Sequence, residues 1–485
     1  MMGSSAGKPR VRSLLAALIA GALIVACGGG ADGGSGQLAG IEGTGIVSGF
    51  GSVYVNGIEF ATTDASITVD GEPASESRLR VGNVVRVAGR IDKDGNARAD
   101  RIVFDRSLDG PIARIEVAPD GTGELAALGQ TVRFDGNTVF VNTPAGDLEK
   151  GDLIAVSGLG DDGSLRATTI QQGPTYVPGT TRIDVEGIVR DLDGSSFQLG
   201  TLRVNYSGAT IEPGADALRN GTYVQVFGAQ NGDDDALNAD SVATRARAQG
   251  DDGEQLFLEG LIGDFAGLSD FSVNGQRVDA SDAERTDTAP LAPGAGVSIS
   301  IRGSLRGDVL VADSFAVQPS PEVMLQARLD DVNAPSDGLE LLSTRWTVRA
   351  DTLYNDERSD NAAGNDRQLR IDRLASGDTV TVHGYMGRTG LVMTRLERVA
   401  DDAQGNAQVR GPIDSIARNG DGGRIVVAGA EIQVSDATTV FLNAAGQAID
   451  ADNFFAEAAP GTVIKAIGPD NGSRIDIARS VQLNR

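Results

Sequence analysis

The sequence has one cysteine, one histidine and one tryptophan among 485 residues, and aromatics are only 4% of it. A single cysteine excludes any disulfide within the chain. His383 alone cannot supply the imidazoles of a zinc site or find a catalytic dyad partner among thiols, and there is no Gly-x-Ser-x-Gly elbow. His383 follows inward-facing Val382 on a strand, so alternation points it outward, as a surface or edge residue. Trp346 and six tyrosines are too few for an aromatic sugar-binding platform. Positive charge is also scarce, 42 Lys and Arg against 67 Asp and Glu, for a net charge of −25. So acidic a body repels nucleic acid and anionic lipid surfaces. Helical periodicity is almost absent.

What the chain does have is glycine, 65 residues of it, in a repeated register. Leu79 to Gly89, LRVGNVVRVAG, carries Gly82 and Gly89, and the same separation returns at Gly151/Gly158, Gly221/Gly228, Gly296/Gly303, Gly377/Gly384 and Gly461/Gly468. The third and fifth residues after each first glycine are apolar, beginning with Val85 and Val87, which is the mark of a strand with one buried face. Three further landmarks keep the same order. An apolar residue two before a small one opens each unit (Ile41/Gly43, Leu108/Gly110, Val185/Gly187, Leu258/Gly260, Leu325/Ala327, Val409/Gly411). A hairpin follows, clearest at Asn56-Gly57 and Asn274-Gly275, whose residues suit a tight turn with positive φ. A closing strand pairs a small or flexible residue with an apolar one three later, as in Ala99/Ile102.

The units run from 41 to 106, 107 to 173, 184 to 247, 255 to 319, 322 to 401 and 407 to 485. Their period of about 70 residues exceeds that of solenoid coils and suits small independent β-domains. Each holds about five short strands, which must hide an apolar face and two edges; closing into a barrel does both. The expected fold is therefore all-β, a tandem array of about six five-stranded OB-like barrels, with an open two-sheet sandwich as the alternative. Cores this small make neighbours lean on each other. Modules one and two meet through Asp105-Arg106-Ser107-Leu108 with no spare residue, which favours a fixed angle, whereas 173–181, 247–254, 318–321 (QPSP) and 401–407 read as linkers. Module five carries a polar insertion, Asn355 to Asp366, and module six the segment Asp450 to Ala458, the one place for a helical turn.

Residues 1–26 read as a signal peptide: Lys8, Arg10 and Arg12 precede an apolar run from Leu14 to Ala26. Ile24-Val25-Ala26-Cys27 resembles the lipobox of bacterial lipoproteins, which implies lipidation of Cys27 and cleavage just before it. Residues 27–40 are then the lipidated cysteine and a flexible glycine-rich spacer. Gly28, where an aspartate would imply retention in the inner membrane, points by the same resemblance to the outer membrane. Cleavage removes three positive charges and no negative one, so lipid rather than charge must hold the body at the membrane.

Taken together, the VxVNG hairpin, the LxxGxxVxVxG strand and the AxxI closing strand behind a lipobox resemble the bacterial domain-of-unknown-function 5666 family, most strongly in modules one to three. The resemblance implies a β-rich extracytoplasmic module and carries no catalytic residue. Module five departs from the pattern at Ala327 and Thr344-Arg345.

Acidic clusters lie between the central and closing strands: Asp92, Asp94 and Asn96 in DKDGN, Asp161-Asp162, Asp233 to Asp235, and Asp470-Asn471. Alternating oxygen ligands suit calcium, but Asp-Gly and Asn-Gly equally suit hairpin turns, and the distal glutamate of an EF-hand is missing. Asp92, Asp94 and Asn96 are thus calcium candidates set against a turn reading. No pair among the 67 acids stands out for glycoside hydrolysis. The expected function is a non-enzymatic, lipid-anchored envelope scaffold for protein or envelope-polymer partners, with no nucleic acid. The alternative is multivalent calcium- or oligosaccharide-binding modules, and an enzyme of unrecognised type is third.

Overall fold

The computed structural model describes residues 39–161, 163–230, 236–244, 252–329, 338–358 and 367–484. The expected signal peptide, Cys27, most of the spacer, Asp162 and the Asp233–Asp235 run lie outside the described residues. The chain is all-β apart from short turns of helix, and its strands form repeated barrel modules.

Module one shows how the repeat closes. Its opening strand, Ala39–Gly49, pairs antiparallel with Val84–Ile91 along most of one edge and, past Val47, with Val53–Val55 on the other. Val53–Val55 turns back into Ile58–Ala61, which runs parallel to the closing strand Ala97–Phe104. That strand pairs antiparallel with Val84–Ile91 and completes a five-stranded ring. The alternating Val85 and Val87 point into it, fully buried. The same cycle closes modules two, three and four. Modules five and six keep the plan with variations. In module six the closing strand is broken into Arg474–Ile475 and Ser480–Asn484. The one α-helix among the described residues, Ala451–Glu457, lies in the expected segment, with Asp450 as N-cap accepting from the Asn453 amide at 2.7 Å.

The two repeated glycines have separate jobs. Gly82 sits at φ +90°, and from there its N–H donates to the Val47 carbonyl at 2.8 Å, tying the start of the central strand to the opening one. Equivalent bonds join Gly151 to Ile112, Gly221 to Val189, Gly296 to Ile262, Gly377 to Leu329 and Gly461 to Ile413. Gly89 lies at a bulge, where the register against the closing strand slips between Ala88 and Gly89. A Cβ there would sit 2.3 Å from the Arg98 carbonyl oxygen. Only glycine lets the barrel bend this tightly at that point.

Asn56-Gly57 and Asn274-Gly275 adopt the positive φ their composition implies. Module five makes the same hairpin with Leu342 at φ 51° and Ser343 at φ 57°, neither of them a natural occupant. Leu342 is buried in the shared core of modules five and six, and that burial holds the turn.

Each ring leaves one gap: the first half of the opening strand is bonded on one edge only. An open edge is a standing demand for hydrogen bonds, and here another opening strand meets it. Ile41–Thr44 pairs in parallel with Gln255–Leu258 of module four. Leu108 and Asp109 pair with Val185 and Asp184 of module three, and Met324–Gln326 with Gln408–Arg410 of module six. The modules thus join as one with four, two with three and five with six. Apolar burial follows the pairing, with one continuous core under modules two and three and another under five and six. Module one receives Phe257 of module four and Leu353 of module five into its core, and the Phe257 ring packs 5.8 Å from that of Phe60.

The short joint between modules one and two is crossed by polar contacts. Arg106 bonds Asp109 at 2.9 Å and Asp70 at 3.3 Å, and the Val84 amide donates to Ser157 Oγ at 2.8 Å. The QPSP segment differs from expectation. Rather than spacing two modules, its polar side chains are drawn into contacts with modules two, four and five.

Candidate functional site

The residue between the apolar and small landmarks of the opening strand faces outward by alternation. It is Glu42, Asp109, Glu186, Glu259, Gln326 and Arg410 in modules one to six. Because opening strands pair across modules, packing half-buries this outward position in modules one, two, three and five and buries it in modules four and six. Burial pushes the carboxyls of Glu42 and Asp109 up from their ordinary values. Arg410, its counterpart in module six, forms an ion pair with Asp120 of module two.

Glu259 is the extreme case, 1% exposed, at the place where modules one, two, four and five converge. The Ile46 amide of module one donates to its Oε2 at 2.6 Å, and Gln318 Nε2 lies 3.5 Å from its Oε1. The same Nε2 donates to Asp351 Oδ2 at 3.2 Å, so one amide stands between two carboxylates. Burial, reinforced by the Asp351 charge, pushes Glu259 up to about 8. Burial also disfavours charge on Asp351, but a two-pronged bond from Arg349, at 2.7 and 2.8 Å, outweighs it and holds that carboxyl below its usual range. These groups surround a cavity of about 60 Å³ that also touches Asn137 and Arg166.

Arg166, Ser298, Gln318 and Pro319 form a wall common to this cavity and to an open groove of about 880 Å³ between modules two and four. Val117 and Leu291, two of the few large apolar side chains left exposed, line the groove together with Leu261 and Phe134. Charged groups, Glu116, Glu124, Arg133, Asp135 and Arg166, share the groove with these apolar side chains, so it offers a partner both kinds of contact.

Arginines of module five clasp the other modules. Arg367 donates to the carbonyls of Ser77, Glu76 and Leu79 at 2.9–3.0 Å and lies 4.0 Å over the Phe50 ring. Arg388 donates to the Asp287 and Ala289 carbonyls at 3.1 Å. Arg395 donates to the carbonyls of Gly136 at 3.1 Å and Thr138 at 2.7 Å, and also bonds Glu397 and Glu357. His383 belongs to this cluster. It does point away from its own barrel core, yet it is no surface residue: Nε2 lies 3.5 Å from Glu397 Oε2, and the ring packs against Gly136 of module two. Burial opposes the charge on Glu397, but Arg395 and His383 beside it hold the carboxyl well below the usual range.

The calcium candidates form a turn. Asp92 Oδ1 accepts from the Asp94 and Asn96 amides at 2.8 and 3.0 Å, and its Oδ2 from Asn96 Nδ2 at 2.9 Å, while Asp94 reaches Lys93 at 3.0 Å. Those bonds, led by the one from the Asn96 side chain, hold Asp92 below its ordinary value. Asp470 and Asn471 likewise cap their own turn. No cluster of three or more His, Cys, Asp or Glu side chains able to hold a metal occurs among the described residues. Cys27 lies outside them.

Sequence reading missed Glu259, Gln318 and Asp351. A signal for the first was present, since the position holds an acid in each of the first four modules, but only strand pairing between modules reveals that it is buried. Gln318 was hidden by its place in a proline-flanked segment that reads as a spacer.

The fold and these contacts define a class: a multi-module protein of closed β-barrels locked together through their opening strands. Residues 42–103, 109–171 and 186–243, within modules one, two and three, each match the family described as Domain of unknown function (DUF5666). No match was found among curated proteins. Among solved structures, drosophila Unr CSD456 is similar at 13% identity over 44% of this chain and 98% of that one, with a TM-score of 0.14, too low to bear on function.

Proposed function

We propose that the protein is a non-catalytic scaffold of the cell envelope, anchored by lipid on Cys27 after removal of residues 1–26, and more specifically at the outer membrane. In this reading the glycine-rich spacer holds the barrels off the bilayer, and the body presents the groove between modules two and four to a protein or an envelope polymer. The observation that carries the reading is the locking of modules into one body around that groove. Strand pairing, fused cores and arginine clasps fix both walls, so a partner meets a preformed recess and little binding energy is lost to ordering it. The polar side chains buried between modules are engaged in holding modules together, which fits a structural use better than a catalytic one.

The test places a photo-crosslinking residue at Leu291 in the full-length protein, in intact envelopes, beside a second version carrying it at Val440 on module six, which is also exposed. The expected result is a discrete adduct from position 291 alone, found in the outer-membrane fraction and lost from it in Cys27→Ser. Equal labelling at both positions, or an unchanged membrane fraction in Cys27→Ser, would overturn the groove or the anchor respectively.

A further inference from the structure

We propose that Glu259 is a proton-operated latch on the junction of modules one, four and five, closed while its carboxyl is neutral and released when it ionises. The side chain is sealed between modules: its Oε2 accepts the Ile46 amide at 2.6 Å, and a Cβ on Gly45 would lie only 3.0 Å from that oxygen. Charged and titratable groups face it from every side. Asp351 and Arg349 come from the strand Thr344–Asp356, Arg302 from Ser298–Arg306, Arg166 from across the cavity, and Tyr385 stands behind Arg349. The cations are already engaged. Arg349 is spanned by Asp351, Arg166 bonds Asp135 and the Gln318 carbonyl, and Arg302 donates to the Asn56 carbonyl.

Ionisation of Glu259 strengthens the bond from Ile46. It also sets a second negative charge beside Asp351, across one shared amide of Gln318. A cavity of about 60 Å³ holds only a few waters, too few to solvate the new charge. Hydration then requires the junction to part. The wall shared with the open groove, Arg166, Ser298, Gln318 and Pro319, is the nearest way in for water.

With a folded value of about 8, closure weakens as pH rises toward that value and is fully released above it. Glu42 and Asp109, half-buried at the same repeat position, are raised by the same leading cause.

The test is hydrogen exchange of the Ile46 amide in the full chain between pH 6.5 and 9.5, in the wild type and in Glu259→Gln, an isostere that still accepts from Ile46 but cannot ionise. In the wild type, protection should fall about tenfold per pH unit from pH 6.5 up to pH 8, beyond the intrinsic base-catalysed rise in exchange, and level off above pH 8. In Glu259→Gln it should stay flat. Equal pH responses in the two proteins would overturn the latch. Should Glu259→Gln fail to fold, infrared spectroscopy of Glu357→Gln, which removes the other carboxyl raised to about 8, decides: a protonated-carboxyl band present at pH 6.5 and lost by pH 9.5 supports the latch, and its absence at pH 6.5 refutes it.

Discussion

Ile46 and Glu259 stand 213 positions apart in the chain, in modules one and four, and the amide of the first donates to the carboxyl of the second at 2.6 Å. That bond crosses the seam made by parallel pairing of Ile41–Thr44 with Gln255–Leu258. It gives the body a dependence on pH that its surface acids do not.

Glu259 is raised from 4.5 to about 8 in the folded protein, so the folded state binds its proton more tightly than the unfolded one. Its contribution to stability is complete below pH 4.5 and is lost as pH rises through 8. Melting temperature measured across that range should therefore decline in the wild type, and the decline should flatten in Glu259→Gln.

Gly89→Ala forces a methyl group to within 2.3 Å of the Arg98 carbonyl in the bulge. Overpacking of this kind costs about 1–3 kcal/mol. Gly95, at φ +87° with nothing within 4 Å, offers the control, where alanine costs about 1 kcal/mol through backbone conformation alone. Denaturant unfolding of both variants should rank them in that order.

Arg395→Ala removes the donor to two carbonyls of module two and leaves Glu397 buried without its main counter-charge. Breaking a buried pair in this way costs about 3–5 kcal/mol. Arg395→Lys should recover only part of the loss, because one ammonium cannot span the acceptors that the planar guanidinium reaches. Equilibrium unfolding of the two variants would show it.

Asp92 spends both carboxylate oxygens on its own turn. The full chain should accordingly melt at the same temperature in calcium and in chelator, while Asp92→Ala lowers that temperature in both. Calcium-dependent stabilisation lost in Asp92→Ala would instead revive a metal site at Asp92, Asp94 and Asn96.

A fragment of residues 39–106 bares the edge of Ile41–Thr44 and lacks Phe257 against Phe60. Mixed with a fragment of residues 252–319, it should form a one-to-one complex in sedimentation velocity. Residues 107–244 need no partner, since modules two and three already share a core.

What could be read from the sequence was local. Gly82 and Gly89, the alternating Val85 and Val87 and the Asn56-Gly57 turn are constraints that the backbone satisfies within one module, so they write the barrel plan directly into the chain. The candidate site was far less legible. His383 was correctly turned away from its barrel core, yet nothing near it in sequence announced that Gly136 would cover it. The polar side chains of QPSP gave no sign that they would reach Glu259, Asp351 and Asp135.

Alone, then, the sequence determined the module and its repetition. Only the tertiary structure decided that module one pairs with four, two with three and five with six. The physical reason is that strand pairing is made of main-chain hydrogen bonds, which are the same for every opening strand. The choice among them falls to side chains such as Phe257 and Glu259, whose partners lie far away in the chain and become neighbours only when the barrels dock.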